Sequence, residues 1–238
     1  MKTWITKGGY KIVRLLSGRS NVFLISTDRI NILVDTSTEF MWRFLQKRLE
    51  RLQVKHIDLL ILTHSHFDHT ANAARIKDSF KPRIIIHQTE AKYLSAGDNI
   101  IPEGTNIFTK FIVSLISKKF QSIGKYSACN CDQTVDDSFD LSGYGVKGNI
   151  MHTPGHTLGS ISIIIDNEIA LVGDTMFGIF WWSVFPPFAS DQDKLLESWG
   201  KLLRTECELF LPSHGSGNKR SLVEKDYAKR NKTSVIEN

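Results

Sequence analysis

Four side chains able to bind a metal fall within six residues, in the stretch Thr63-His64-Ser65-His66-Phe67-Asp68-His69. They follow Ile57-Asp58-Leu59-Leu60-Ile61-Leu62, a short apolar run that reads as a buried strand. His64 and His66 are two residues apart, so on an extended backbone they lie on one side. Asp68 and His69 come a step later, where the chain can bend. Imidazole nitrogen with carboxylate oxygen suits zinc, or another divalent ion such as iron or manganese.

Later apolar runs end in further ligand types. In His152-Thr153-Pro154-Gly155-His156 a Pro-Gly turn precedes an imidazole, Val172-Gly173-Asp174-Thr175 ends a strand on a carboxylate, and Leu211-Pro212-Ser213-His214 ends another on a histidine. Together His64, His66, Asp68, His69, His156, Asp174 and His214 supply five imidazoles and two carboxylates. That is enough for two metal ions with water between them, and more than a single structural site needs.

The elements that must position these residues can be read in order. Tyr10 to Leu16, Asn21 to Ser26 and Ile30 to Asp35 form a β-meander. Glu39 to Gln53 has helical apolar spacing, with Thr38 or Ser37 as N-cap. Thr70 to Phe80 reads as helix, Arg83 to His87 as strand and Glu90 to Leu94 as a short helix. Val146 to His152 reads as strand, Ser160 to Ile165 and Ile169 to Val172 as a hairpin turning at Asp166-Asn167, Asp191 to Leu203 as helix and Glu208 to Leu211 as a last strand. Between them, residues 97–131 break the rhythm and form a helical insertion, amphipathic over Ile107 to Phe120. Only the tail from Lys229 to Asn238 reads as loose.

The 238 residues read as a single α/β domain. Lys and Arg are spread along the chain, so the net charge of +5 is a solvated surface rather than a nucleic-acid site. Three cysteines, two of them at Cys129 and Cys131, do not make a disulfide framework and suit a reducing cytoplasm as free thiols. No run is long and apolar enough for a signal peptide or a membrane span. A homodimer is compatible with the sequence.

In all these motifs, and over nearly its whole length, the chain resembles the metallo-β-lactamase superfamily. The resemblance implies an αββα sandwich, two mixed β-sheets flanked by helices, with the metal site at one edge of the sheets. It also implies that His64, His66 and His156 hold a first metal, Asp68, His69 and His214 a second, and that Asp174 bridges them. Ser37 and Ala71-Asn72 stand where glycines are usual in the family, at turns and not at ligands.

A pair of cations acidifies a bound water and polarises a carbonyl or phosphoryl oxygen, so the expected reaction is hydrolysis, with Asp68 able to take the proton from the water. His66 stands where the flavodiiron proteins that resemble this fold usually carry Glu. Dedicated β-lactamases of the superfamily usually lack the bridging aspartate and are exported, so Asp174 and the lack of an apolar leader run count against that reading. Phe177 replaces a Tyr of the lactonases, and only 24 residues follow His214, where hydroxyacylglutathione hydrolases usually carry a longer helical part. The glyoxalase II-like and lactonase-like branches both stay open, with a small-molecule ester, thioester or lactone as substrate. A phosphodiesterase or nuclease of the same fold, and a non-catalytic metal-binding or sensor protein, are the alternatives.

Met176 to Phe188 is aromatic, uncharged and starts two residues after Asp174. Most of its rings read as core, while Phe177, Trp181 and Trp182 are candidates to line the cleft mouth and favour an apolar or acyl-bearing substrate. His56 and His87 read as strand-flanking residues, and His152 as a support for the His156 turn. Lys219 and Arg220 read as a solvated pair, with a substrate carboxylate as their other use.

Overall fold

The computed structural model describes residues 1–99, 104–105 and 124–234, the last three by backbone alone. One sheet takes its seven strands in chain order: β1 (Lys2–Ile5), β2 (Lys11–Leu16), β3 (Val22–Ser26), β4 (Asn31–Val34), β5 (Leu59–Ile61), β6 (Arg83–His87) and β7 (Gln133–Val135). β1 to β4 pair antiparallel and β4 to β7 parallel. The second sheet holds β8 (Ser138–Asp140), β9 (Gly148–His152), β10 (Ile161–Ile165), β11 (Ile169–Gly173), β12 (Leu209–Pro212) and β13 (Asn218–Lys219). Its one parallel pair is β11 with β12.

Alternate residues of each strand face opposite layers, and the three clusters of buried side chains follow that period. Phe23, Ile25, Ile32, Val34 and Ile61 meet Ile150, Ile161, Ile163, Ile165 and Leu171 between the sheets. Leu24, Leu33, Leu60, Ile84 and Ile86 point the other way. They pack under α1 (Trp42–Arg51), α2 (Phe67–Thr70), α3 (Ala73–Phe80) and α4 (Gln88–Ala96), which contribute Leu45, Leu49, Ile76 and Leu94. On the far side Ile164, Ala170, Val172 and Phe210 meet Leu195, Trp199 and Leu202 of α5 (Gln192–Leu203) and Val223 of α6 (Arg220–Ser234). The result is the αββα sandwich. Each such buried side chain contributes about 1.5–3 kcal/mol.

Several elements depart from the sequence reading. Thr38 makes no capping bond from its side chain, because the chain enters α1 through a 3-10 turn over Glu39–Met41. β1, β7, β8 and β13 were not expected; they are two to four residues long and lack clean alternation of buried and exposed side chains. Residues 229–234 are helical rather than loose. Arg230 explains this, bonding Asp226 one turn back (3.2 Å) and lying 3.7 Å from the Phe185 ring centre. The amphipathic segment 107–120 lies outside the described residues, as do 235–238. No described helix is long and apolar enough to cross a membrane.

Candidate metal centre

The chain leaves β4, β5, β9, β11 and β12 at the same edge of the two sheets, and each exit carries a polar side chain inward. β5 delivers His64 and His66 directly and then turns into α2, whose single turn presents Asp68 and His69. After β9 the Pro-Gly turn works as expected. Gly155 has φ +135, and a Cβ there would come within 2.4 Å of the Leu195 Cα, so only glycine lets α5 approach the His156 loop. Asp174 follows β11, and Ser213-His214 follow β12, held by the backbone of Gly173 and by Asn21, the residue before β3.

These seven side chains converge. His66 Nδ1 lies 2.9 Å from His64 Nε2 and 3.1 Å from His156 Nε2. Three nitrogens this close cannot all be satisfied by protons, and two ligands of one tetrahedral zinc ion stand about 3.3 Å apart. His69 Nε2 and His214 Nε2 lie 3.7 and 3.4 Å from Asp68 Oδ2. Asp174 touches both groups: Oδ1 is 3.5 Å from His69, while Oδ2 is 3.5 Å from His156 and 3.2 Å from His214. Two further geometric sets, His64-His69-Asp174 and Asp68-His69-His214, share these atoms.

The donor set fits a divalent cation on an observation of its own. Among the described residues, His69 Nε2 and Asp174 Oδ1 are buried with no hydrogen-bond partner, although they face each other. Such orphaned atoms cost free energy unless something else satisfies them, and a cation between them would do so.

Electrostatics divide the site. Burial, with neighbouring imidazoles adding to it, drives His66 down to about 3 and His64 well below its usual value, and burial also lowers His156. These three are neutral donors at pH 7. At His214 burial is outweighed by Asp174 and Asp68, which raise it to about 10; His69 rises well above its usual value by the same opposition. Asp174 and Asp68 stay ionised beside them despite burial.

Surrounding groups hold the rings in place. His156 Nδ1 donates to the Phe188 carbonyl (2.8 Å), and Asp35 Oδ2 lies 2.8 Å from His69 Nδ1. Asp35 also accepts from the Thr63 amide and hydroxyl and from the Ser213 hydroxyl. In the sequence Asp35 is only the end of a strand, marked by a carboxylate leaving an otherwise apolar run. His152 acts as a support: its Nε2 donates to the Leu158 carbonyl at 2.8 Å, and its ring stacks on His87 at 4.1 Å. His87 is more than strand-flanking, since its side chain caps α4.

The aromatic segment splits in two. Met176, Phe177 and Val184 are buried, and the Phe177 ring stacks on His214 at 4.7 Å. Phe180, Trp181 and Trp182 are exposed, Trp181 by 84%, so core packing does not account for them. Ile179, Phe180 and Trp181 line an open groove of about 350 Å³ with Ser216 to Lys219, just beyond His214. Arg220 is engaged by backbone carbonyls. It donates to the carbonyls of Leu203, Thr205 and Cys207 and so ties the end of α5 to the start of β12.

The family model described as the metallo-beta-lactamase superfamily matches residues 17–214. The chain belongs to that superfamily. A probable metallo-hydrolase of Methanocaldococcus jannaschii is 35% identical over 167 residues, covering 69% of this chain and 72% of that protein. Hydroxyacylglutathione hydrolase GloC of Haemophilus influenzae is 27% identical over 174 residues, covering 70% and 71%. Among solved structures, a metallo-beta-lactamase of Cronobacter sakazakii superposes with a TM-score of 0.66 at 16% identity, covering 99% of this chain and 95% of that one, a likeness of fold alone. The chain is thus a superfamily metallohydrolase whose histidine and aspartate cluster could hold a metal ion.

Proposed function

We propose that the protein hydrolyses an ester, thioester or lactone bond of an apolar or acyl-bearing small molecule at a dinuclear centre. His64, His66 and His156 would hold one divalent ion and Asp68, His69 and His214 the other, with Asp174 available to both; zinc suits the nitrogen-rich set best, with iron or manganese as alternatives. The observation that carries this reading is Asp174, whose two oxygens reach both groups of imidazoles at 3.2 to 3.5 Å.

Bound there, the ions would supply an acidified water, its pKa lowered from about 16 towards about 7, and a Lewis acid for the carbonyl oxygen. The chain's own residues do the rest. Asp68 is more open than most of the set, at 21% side-chain exposure, and its Oδ2 already faces His69 and His214. Oδ1 is therefore the atom to receive a proton from the water. Phe177 shields one face of His214 and keeps bulk water off it. Trp181, with Trp182 in edge contact at 5.2 Å, offers an apolar rim for an acyl group in the groove beyond His214. The relative named hydroxyacylglutathione hydrolase lends weight to acyl substrates.

The test is metal content per chain by elemental analysis, on protein purified without chelator, beside a panel of thioester, lactone and phosphodiester substrates. About two ions and chelator-sensitive turnover of an acyl substrate are expected. One ion or none, with no turnover after reconstitution by zinc, iron or manganese, would overturn the reading, and turnover of the phosphodiester alone would redirect it to nuclease-type chemistry.

A further inference from the structure

A buried carboxylate that hydrogen-bonds to none of the seven converging side chains joins the two loops that carry the imidazole trio. Glu90 lies in the first turn of α4 and is fully buried. Its Oε2 accepts from the Ser65 amide at 2.9 Å and also from the Ser65 hydroxyl. Its Oε1 accepts from the Gly159 amide at 3.2 Å. Ser65 sits between His64 and His66, and Gly159 is three residues beyond His156. Among the described residues no cation pairs with Glu90, so these donors are what compensates its charge.

The neighbourhood is shaped for this clamp. A Cβ at position 159 would lie 2.5 Å from Glu90 Cγ and 2.4 Å from Thr89 Oγ1, so the close approach of the amide requires glycine. The Ser65 peptide is gripped at its other end as well, where its carbonyl accepts from the Tyr126 hydroxyl at 3.0 Å and from Thr70 Oγ1 at 3.2 Å. Orientation of that peptide matters because His66 faces its partners through Nδ1, the ring nitrogen nearer the backbone. An Nδ1 donor follows the main chain closely, with little side-chain length to absorb an error.

We infer that Glu90 is a positioning residue for the trio, fixing the spacing of the His64–His66 loop against the His156 loop so that their three nitrogens meet at one point. The inference rests on the metal-centre reading above. Outer-shell groups of this kind are worth about 10–100-fold in metal affinity. Because Asp68, His69 and His214 hang on other contacts, the loss should fall on one of the two ions.

Glu90→Gln keeps the size, but its amide NH2 must face an N–H donor in one of the two loops. Zinc affinity of the whole chain, metal-free and then titrated against a chromophoric chelator, is the readout, with the visible spectrum of the cobalt(II) form as a second. The expected result is about 10–100-fold weaker binding of one ion, with the other near wild type and the cobalt bands of one site altered. Should Glu90→Gln fail to fold, Ser65→Ala removes only the hydroxyl donor and should weaken the same ion in the same direction. If the wild type takes up two ions and the folded variant binds both with unchanged affinity, Glu90 has no positioning role. A wild type that takes up no ion removes the metal centre, and this inference with it.

Discussion

Asp35 and His69, 34 residues apart in sequence, meet at 2.8 Å through Oδ2 and Nδ1, both fully buried. The contact turns Nε2 of His69 towards Asp68 and Asp174. A carboxylate behind an imidazole fixes ring orientation and raises its basicity as a ligand. Asp35→Asn should therefore lower kcat/KM by about 10–100-fold with metal content reduced at the Asp68-His69-His214 group. It should also cost about 1–3 kcal/mol, because Thr63 and Ser213 donate to the same carboxylate. Steady-state kinetics, elemental analysis and denaturant unfolding of the variant check the three parts, and wild-type values in all of them would refute the role.

Trp181 and Trp182 are exposed by 84% and 57%, so neither contributes much to folding. Trp181→Ala and Trp182→Ala should leave Tm within a few degrees of wild type, as surface changes do. KM for the true acyl substrate should rise about tenfold with kcat nearly unchanged, the signature of lost uniform binding. Unchanged KM with every substrate of the panel would remove these rings from the substrate site.

Trp199 on α5 is fully buried and its Nε1 donates to the Thr175 carbonyl at 2.7 Å, one residue after Asp174. Core and site are joined at that bond. Trp199→Ala should cost about 3–5 kcal/mol by urea unfolding. Trp199→Phe retains most of the volume but leaves that carbonyl unpaired, for about 1–3 kcal/mol, and should lower metal affinity by loosening Asp174. A Phe variant as stable as wild type would show that the bond does nothing for either.

The converging residues were legible because their spacing is local: His64, His66, Asp68 and His69 lie in one turn, and the other three each close an apolar strand. The long strands were legible for the same reason, since β3, β6 and β10 are runs of five mostly buried residues. Groups that act across sequence distance were not. Glu90 meets Ser65 and Gly159 from 25 and 69 residues away, and Asp35 meets His69 from 34. Asp35 carries one local mark, its place at the end of an apolar strand, but nothing within a local window tells which distant residues either carboxylate meets. Arg220 looked solvated because cations in polar stretches usually are, yet the carbonyls it satisfies belong to the end of another helix and the strand beyond it.

The division of the site into neutral and charged imidazoles predicts how metal-free protein and metal uptake respond to pH. His66, lowered to about 3, binds no proton when folded but does so below pH 6.5 when unfolded, so stability falls as pH drops below 6.5. His214, raised to about 10, keeps its proton when folded through the range in which the unfolded chain has lost it. Its contribution is full below pH 6.5 and disappears as pH rises towards 10. Metal-free protein should therefore be most stable near pH 6–7 by thermal unfolding. Metal uptake runs the other way, because His214 must release its proton before Nε2 can serve as a ligand. Apparent affinity for the ion at the Asp68-His69-His214 group should rise by about tenfold per pH unit for each proton displaced, between pH 6 and 8. Calorimetry at pH 7 in buffers of different ionisation enthalpy counts those protons directly. At least one per chain is expected; a count of zero would mean that His214 is neutral in the metal-free protein or takes no part in binding.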